Sequence, residues 1–595
     1  MPVYRAPVAD IRFVLHELLA AERHYRATGY ADATRDTIDA IVDGGAQFAS
    51  GVLAPLRRIG DEQGSHVVNG GVKTPAGSRE AYRAYVDGGW ASMAIAPEWG
   101  GQGLPHSLNI VFHEMCLTAN VSLFPVATLT HGAIRAIEAH ASDELKQRYL
   151  PKLASGEWTG TMCLTEPHAG SDVGLVRVKA EPQADGSYAL TGTKMFITYA
   201  DHDLAENIVH LVLARLPDAP AGPKGISLFL VPKFLPDADG NPGRRNPAVV
   251  QSVEEKMGLK ASPTCVLNFD GATGWLVGKP HNGLAAMFTM MNAARLDVGT
   301  EGLAAAQLSL QGALDYAQER LQMRSATGAK APDKYADPII VHPDVRRMLL
   351  TQKALTEGMR ALAYTMAFAL DEELHHPDPL QRQAGSDLVA LLTPIVKGFL
   401  TEHGLEAAIL GQQVFGGHGY IREWGMEQIV RDVRIALIYE GTNGIQAQDL
   451  LRRKVIGSDG RLLRLLSARM QADAAKLAGD EVCGVWANQV QALAAEWEML
   501  ADTLIARARD DAESVGAAAF DFAEYSGYVV LAWLWLRMAA LGAAQPGSAF
   551  HQAKVHTARF YFERLLPRTR AFVANIEAGP ASLMTISGEQ LGAMY

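Results

Sequence analysis

The chain has 595 residues, too many for one hydrophobic core, and length alone gives a prior of about three to four domains. Its composition, 48% hydrophobic and 20% charged, is that of a folded water-soluble protein and excludes a disordered tail, a collagen-like repeat or a disulfide scaffold. With 54 basic against 65 acidic side chains the net charge is -11, so sequence-independent nucleic-acid binding is not expected of the chain as a whole. The first residues, MPVYRAPVADIRFVLHELL, have no basic stretch ahead of a long apolar run, so no secretory signal is expected and the chain reads as cytosolic (cytoplasmic). Residues 1–160 repeat Ala, Leu and charges at three-to-four spacing, as in Ile11 to Arg26 and Thr34 to Ser50, and read as a helical domain. Residues 161–285 change to short alternating runs between turn signals. Strands are expected at Ser187–Thr193, after the Asp185-Gly186 turn, and at Ile208–Ala214, Ile226–Val231 and Thr264–Phe269. The stretch Pro236–Pro247, with Gly240 and Gly243, is expected to be a surface loop.

Helical periodicity returns over 286–455, for example in Gly302–Leu321, and residues 456–595 form a further helical domain. That last block holds 12 Lys/Arg and 15 Asp/Glu, so it is not a basic arm. Its apolar run Tyr528–Ala544 is short for a bilayer span and contains Arg537, which points to a buried core helix and to no integral membrane segment. The fold class is therefore α+β, mostly α. Cys116, Cys163, Cys265 and Cys483 form no CxxC pair and have no close His, so reduced thiols are expected and no metal site.

No GxGxxG follows a strand, and Walker A, HExxH and GxSxG motifs are absent. Three segments could carry chemistry. In Cys163–Asp172, small residues and hydroxyls can bring backbone N–H groups to a planar or phosphorylated ligand, although a plain polar turn reads the same way. In Gln413–Tyr420, paired glycines admit close backbone approach and an amide can read a purine edge, but a glycine-closed helix end fits equally. In Ile435–Asn443, Glu440 follows an apolar run, and Thr442 or Asn443 can cap the next helix. A carboxylate against apolar walls is poised as a general base, whereas a solvated turn glutamate is the bland alternative.

Six motifs in order, TEPHAGSD (165–172), KMFIT (194–198), MGLKASPT (257–264), ALDYAQER (313–320), QVFGGHGY (413–420) and YEGTN (439–443), together resemble the acyl-CoA dehydrogenase family over most of residues 90–455. The length, the N-terminal start and the extra helical block are similar to its long, dimeric branch. The resemblance implies an N-terminal helical domain, a central β-barrel-like domain, a C-terminal four-helix domain and an additional helical domain. It also implies bound FAD, an acyl-CoA substrate undergoing α,β-dehydrogenation, a homodimer, and electron-transfer flavoprotein as electron acceptor. By position, Glu440 matches the base that takes the α-proton. The other place where some relatives carry that base is Ala294 here. Thr165 and Thr198 match flavin hydrogen-bonding residues, with Leu164 and Phe196 lining the ring. Ser171 matches a flavin-phosphate or CoA contact, Arg320 the arginine that reaches the neighbouring subunit's FAD, Gln413 and Gly417 adenine-side contacts, and Thr442 another FAD contact. Asn292, Arg295, Tyr439 and Gly441 match substrate-side positions. The sequence departs from the pattern at Gly444, Gln428 and Met323, and His168 stands where many relatives have glycine. An acyl-CoA oxidase, a nucleic-acid-associated homologue and an inactive homologue are the competing readings. The acidic balance of 456–595 opposes the second, and Glu440 opposes the third.

Overall fold

The computed structural model describes residues 2–593, which fall into two compact units. One comprises Tyr4–Ala6 and Ala40–Asp297; the other comprises Met1–Val3, Pro7–Asp39 and Val298–Tyr595.

The first unit carries helices α1 (His106–Asn120), α2 (Pro125–His140) and α3 (Asp143–Ala154). They lead into strands β1 (Trp158–Cys163), β2 (Lys179–Pro182), β3 (Tyr188–Thr198), β4 (Asn207–Arg215), β5 (Ile226–Pro232), β6 (Ala248–Val253) and β7 (Thr264–Val277). The strand order is β6-β7-β3-β2-β4-β1, and β5 pairs with both β7 and β4, closing the middle strands into a barrel-like ring. β4 and β5 read as continuous apolar runs because both of their faces are covered. Val209, Leu211 and Leu213 pack with Ile134 and Ile137 of α2, while Val212 and Ala214 pack with Phe229, Leu190 and Phe269. α2 lies close on β1 at Gly160, where a Cβ would stand 2.4 Å from that of Ala133.

Two expectations need correction here. The expected strands are present, but β3 runs on to Thr198 and β7 to Val277. Register shifts at Cys265/Leu267 and Asp270/Ala272 bend β7, so that it leaves β3 and pairs with β5 at its end. The expected surface loop holds a short hairpin, Phe234–Pro236 against Pro242–Arg245. Asp237 Oδ1 accepts from the N–H groups of Asp239 at 3.0 Å and Asn241 at 2.9 Å, a local closure that Pro and Gly content alone announces only as a loop.

In the second unit the long helix α4 (Gly283–Glu319), from Val298 onward, packs with α5 (Pro343–His375) and α6 (Pro379–Val414). α4 and α6 cross with almost no space: a Cβ on Gly302 would lie 2.2 Å from the Leu400 carbonyl oxygen, and one on Gly404 would lie 2.4 Å from that of Gly302. After α7 (Asn443–Gln448) come α8 (Arg461–Ala475), α9 (Gly484–Asp510), α10 (Glu513–Ala543) and α11 (Ala549–Phe560). From Tyr525 to Leu536 α10 is buried at every position, and Trp535 Nε1 donates to the Ala354 carbonyl of α5 at 3.1 Å. The Tyr528–Ala544 run thus sits in a buried helix. α10 and α6 are long and apolar enough to cross a membrane, and most of each apolar window is buried inside the protein. The expected continuous helix Ile11–Arg26 is interrupted instead. A π-helical turn occupies Phe13–Leu18, Ala20 takes a left-handed φ of 50°, and a new helix runs Ala21–Ala27.

Candidate active site

Glu440 lies in a tight turn between a 3-10 turn at Arg434–Leu437 and α7. Glu440 and Gly441 are successive left-handed residues, with φ of 55° and 85°. For a residue with a Cβ this conformation costs on the order of 1–2 kcal/mol, so the surroundings must impose it. They do so from α6 and α7. Buried Lys397 donates to the Gly441 carbonyl at 2.7 Å and to Asn443 Oδ1 at 2.9 Å. Thr401 donates to the same Asn443 oxygen at 3.1 Å, and Asn443 Nδ2 donates to Glu402 at 2.9 Å. Gln446 Nε2 donates to the Glu440 carbonyl at 3.2 Å. Thr442 is the N-cap of α7, accepting from the Ile445 N–H at 3.2 Å. Tyr439 donates its hydroxyl proton to Glu301 of α4, and the Glu440 side chain is half-buried.

Arg320, Gln413 and Gly417 gather elsewhere in the same unit. Tyr316, one turn before Arg320, stacks on Phe415 at 4.1 Å and shares a hydrogen bond of 2.9 Å with His418, which in turn stacks on Trp424 at 4.4 Å. This aromatic cluster joins the end of α4 to the glycine-rich segment. Gln413 and Lys397 are on one helix, about 24 Å apart at 1.5 Å per residue. One chain's Glu440 turn and its Gln413 end are therefore separate stations. Of the departures, Gln428 is buried and donates to Asp432 at 3.1 Å, whereas Gly444 and Met323 are exposed.

The first unit holds the other group. Leu164 and Thr165 follow β1, and Phe196 and Thr198 end β3. The two segments are joined by Met195 N–H donating to the Thr165 carbonyl at 3.0 Å. Beneath them Lys194 donates to the Leu164 carbonyl at 2.8 Å and to Glu166 at 2.9 Å. Glu166 also accepts from the N–H groups of Arg177 at 2.7 Å and Val178 at 3.0 Å. Burial pulls the Lys194 pKa down, and the Glu166 carboxylate works against that. Phe196 has a left-handed φ of 59° and is 55% exposed, a large ring held outward at a strained position. An exposed aromatic flanked by two half-buried threonine hydroxyls suits a planar ring with a polar edge, so these residues fit an isoalloxazine. Ser171 is exposed on the loop. His168 turns inward to the loop itself, 3.0 Å from the Leu175 carbonyl and 3.6 Å from Glu166. Arg295 is buried, with its guanidinium 5.7 Å from the Phe288 ring, and contacts the exposed Asn292 at 3.4 Å. Sequence reasoning missed the two lysine braces. Lys194 stood inside a quoted motif; Lys397 stood in an unremarked helix.

Family models match the chain in four consecutive pieces: acyl-CoA dehydrogenase N-terminal domain over 36–157, middle domain over 161–272, C-terminal domain over 281–455, and an acetyl-CoA dehydrogenase C-terminal-like domain over 466–587. A 3-methylmercaptopropionyl-CoA dehydrogenase of Ruegeria pomeroyi is 43% identical over 98% of this chain and 100% of its own. The chain belongs to the acyl-CoA dehydrogenase family. The broad-specificity linear acyl-CoA dehydrogenase FadE5 of Mycobacterium tuberculosis is 36% identical over 95% of this chain and 96% of its own. An acyl-CoA dehydrogenase complexed with FAD from Bacillus anthracis has the same fold, with a TM-score of 0.75, 20% identity, and coverage of 95% of this chain and 91% of the other. This acyl-CoA dehydrogenase is accordingly an FAD-dependent oxidoreductase acting on acyl-CoA thioesters.

Proposed function

We propose that Glu440 is the base of this acyl-CoA dehydrogenase and that its substrates include 3-(methylthio)propanoyl-CoA or medium- to long-chain linear fatty acyl-CoAs. The Glu440 turn carries the reading. A carboxylate is held at a strained backbone position by buried donors on two helices, which is an arrangement built to aim one side chain. In the reaction the Cα–H bond breaks and Glu440 accepts that proton. The Cβ–H leaves as hydride, and a trans-2-enoyl-CoA results. Bound FAD supplies the acceptor of that hydride. The thioester carbonyl has to be polarised before its α-proton becomes acidic, and the Glu440 backbone N–H is assigned that task by the family resemblance. Leu164, Thr165, Phe196, Thr198 and Thr442 hold the cofactor, with Ser171 at its phosphate or the CoA. Arg320 reaches the cofactor of the second copy in a homodimer, with Gln413 and Gly417 at the adenine side, a reading supported by the roughly 24 Å along α6 between Gln413 and Lys397, the brace of the Glu440 turn. Asn292, Arg295, Tyr439 and Gly441 serve the substrate.

The 43% identity to a 3-methylmercaptopropionyl-CoA dehydrogenase supports the substrate assignment, and the 36% identity to a broad-specificity enzyme supports the wider range. Electron-transfer flavoprotein is the proposed acceptor, β-oxidation chemistry the proposed setting and the cytoplasm the proposed location. The four domains are proposed at 1–160, 161–285, 286–455 and 456–595. The test is a panel of acyl-CoAs from butyryl to palmitoyl, with 3-(methylthio)propanoyl-CoA, assayed with an artificial dye and separately for oxygen consumption. Dye reduction highest with 3-(methylthio)propanoyl-CoA or a medium- or long-chain linear substrate is expected. Turnover only with branched or aromatic thioesters would overturn the substrate assignment, and rapid oxygen consumption without dye would make the protein an oxidase.

A further inference from the structure

The second unit contains a cavity of about 380 Å³ that shares no lining residue with the Glu440 turn or its braces. Its nearest wall on α6 is Leu388, about 13 Å along the helix from Lys397 at 1.5 Å per residue. The interrupted N-terminal helix creates it. The π turn and left-handed Ala20 swing the chain so that Leu18 and Leu19 form a wall and the following helix presents Arg23 and His24. Phe368 and Ala369 of α5 complete the apolar side.

Three guanidiniums meet at this cavity, with Arg23 and Arg469 exposed at its rim and Arg537 in its floor. Arg469 and Arg537 both lie against one fully buried indole, 5.5 Å and 5.1 Å from the Trp533 ring. Arg537 Nη2 donates to the Leu18 carbonyl at 2.9 Å, and its Nε stands 4.0 Å from Asp473. Asp473 is already shared with Trp533 Nε1 at 3.1 Å and Lys476 at 2.9 Å. Arg537 Nη1 is buried and has no hydrogen-bond partner among the described residues. Burial and then neighbouring Arg469 press on the Arg537 charge, and both pressures are relieved by an anion placed between the two. His24 is kept neutral by burial and by His376, with its pKa lowered to about 4, so it adds no charge. Glu372 is the carboxylate in the lining, 3.6 Å from His24, so three arginines face one carboxylate there; behind the wall Asp473 offsets Arg537 in part and Asp371 lies 4.0 Å from His24.

We propose that this cavity is a second ligand site, taking a small carboxylate with a short apolar tail. Arg537 Nη1 and the exposed Arg469 guanidinium can each donate to a carboxylate, and Leu19, Phe368 and Leu388 cover the tail. A phosphate dianion is disfavoured, because Glu372 would face its second charge and half the walls would desolvate it without return. The site is independent of which acyl-CoA the enzyme oxidises.

The test soaks crystals of the holoenzyme with 6-bromohexanoate and locates bromine by anomalous scattering. It also titrates the holoenzyme in solution with hexanoate, hexylammonium and inorganic phosphate. A bromine peak beside Phe368 is expected, with hexanoate bound, phosphate and hexylammonium not bound, and affinity at least tenfold weaker in Arg469→Gln and Arg537→Gln. Arg469 is exposed, so its variant remains informative should Arg537→Gln fail to fold. Bromine found only elsewhere, equal binding of phosphate or hexylammonium, or hexanoate affinity unchanged in Arg469→Gln would each overturn the proposal.

Discussion

Lys397 Nζ lies 2.7 Å from the carbonyl oxygen of Gly441, so a buried cation on α6 carries the peptide that follows Glu440. The strain of two left-handed residues is thereby tied to a rigid helix and not left to the loop. Lys397→Met keeps much of the volume but leaves the Gly441 carbonyl with only the long Gln446 contact at 3.5 Å and Asn443 Oδ1 with Thr401 alone, at up to about 1–3 kcal/mol for the weakened carbonyl. The turn then relaxes, and a shift of the carboxylate by about 1 Å costs on the order of 10²-fold in rate. The expected outcome is kcat lowered far more than KM is raised, with the FAD spectrum unchanged. Equal losses in kcat and FAD content would instead mark Lys397 as a general stability residue.

The buried pair Lys194–Glu166 does the corresponding work under the segments proposed to hold the flavin. Lys194→Met strands a buried carboxylate, and breaking such a pair by removing one partner costs about 3–5 kcal/mol. The TEPHAGSD loop should loosen from β3, and the purified variant should retain less FAD and unfold at lower temperature. Reconstitution with excess FAD, followed by absorbance and thermal melting, checks both. A double variant, Lys194→Met with Glu166→Gln, should recover part of the thermal loss, because glutamine removes the stranded charge and keeps an acceptor for the Arg177 and Val178 N–H groups.

The placement of Glu440 was legible because Tyr-Glu-Gly-Thr-Asn combines an apolar lead, a carboxylate and a helix cap in five residues. The means of holding it was not. A lysine 43 positions earlier in an apolar helix reads as a solvated charge until the helix is seen to bury it. The helix that carries Arg537 is expected to be buried and is, yet the cavity above it depends on the break at Ala20. A left-handed alanine has no sequence signal, since glycine is the residue that advertises that conformation. The Phe234–Arg245 hairpin was missed for a related reason: its turn is closed by one aspartate side chain, whose partners are backbone groups.

Acid should destabilise the first unit through three buried histidines. Burial, the leading cause in each, lowers the pKa of His131 to about 4 and of His202 and His210 to about 3, from 6.5. Above pH 6.5 these groups are neutral in both folded and unfolded chains. Below it the unfolded chain takes up protons that the folded one refuses, so stability falls as pH drops from 6.5 towards 4 and then 3. The slope is about 1.4 kcal/mol per pH unit for each histidine inside its window. His403 in the second unit acts oppositely. Burial lowers its pKa, but Tyr528, Glu524 and Glu406 outweigh that and raise it well above the usual value, so its contribution is lost as pH rises through the folded pKa. Thermal melts between pH 4 and 7 should show a falling midpoint on the acid side, and His210→Asn should flatten it. An unchanged slope in that variant would show that His210 protonates freely.

Glu440→Gln should keep FAD and bind acyl-CoA but fail to reduce the flavin. The substitution preserves size and removes the group that accepts the proton, while Lys397, Gln446 and Thr442 still hold the backbone of the turn. Loss of a single base lowers a chemical step by at least the roughly 10²–10⁴-fold typical of general-base catalysis. Replacement by a neighbour is not expected: the family resemblance puts Ala294 at the alternative base position, and Glu301 is buried and engaged by the Tyr439 hydroxyl. Binding should change little, because a glutamine preserves the contacts made by the CoA and acyl portions. The measurement is anaerobic mixing with 3-(methylthio)propanoyl-CoA or butyryl-CoA, followed at the oxidised flavin band, with FAD content and acyl-CoA affinity determined on the same preparation. Bleaching at close to the parent rate would remove Glu440 from the mechanism, whereas bound substrate with a persistently yellow flavin assigns the α-proton to it.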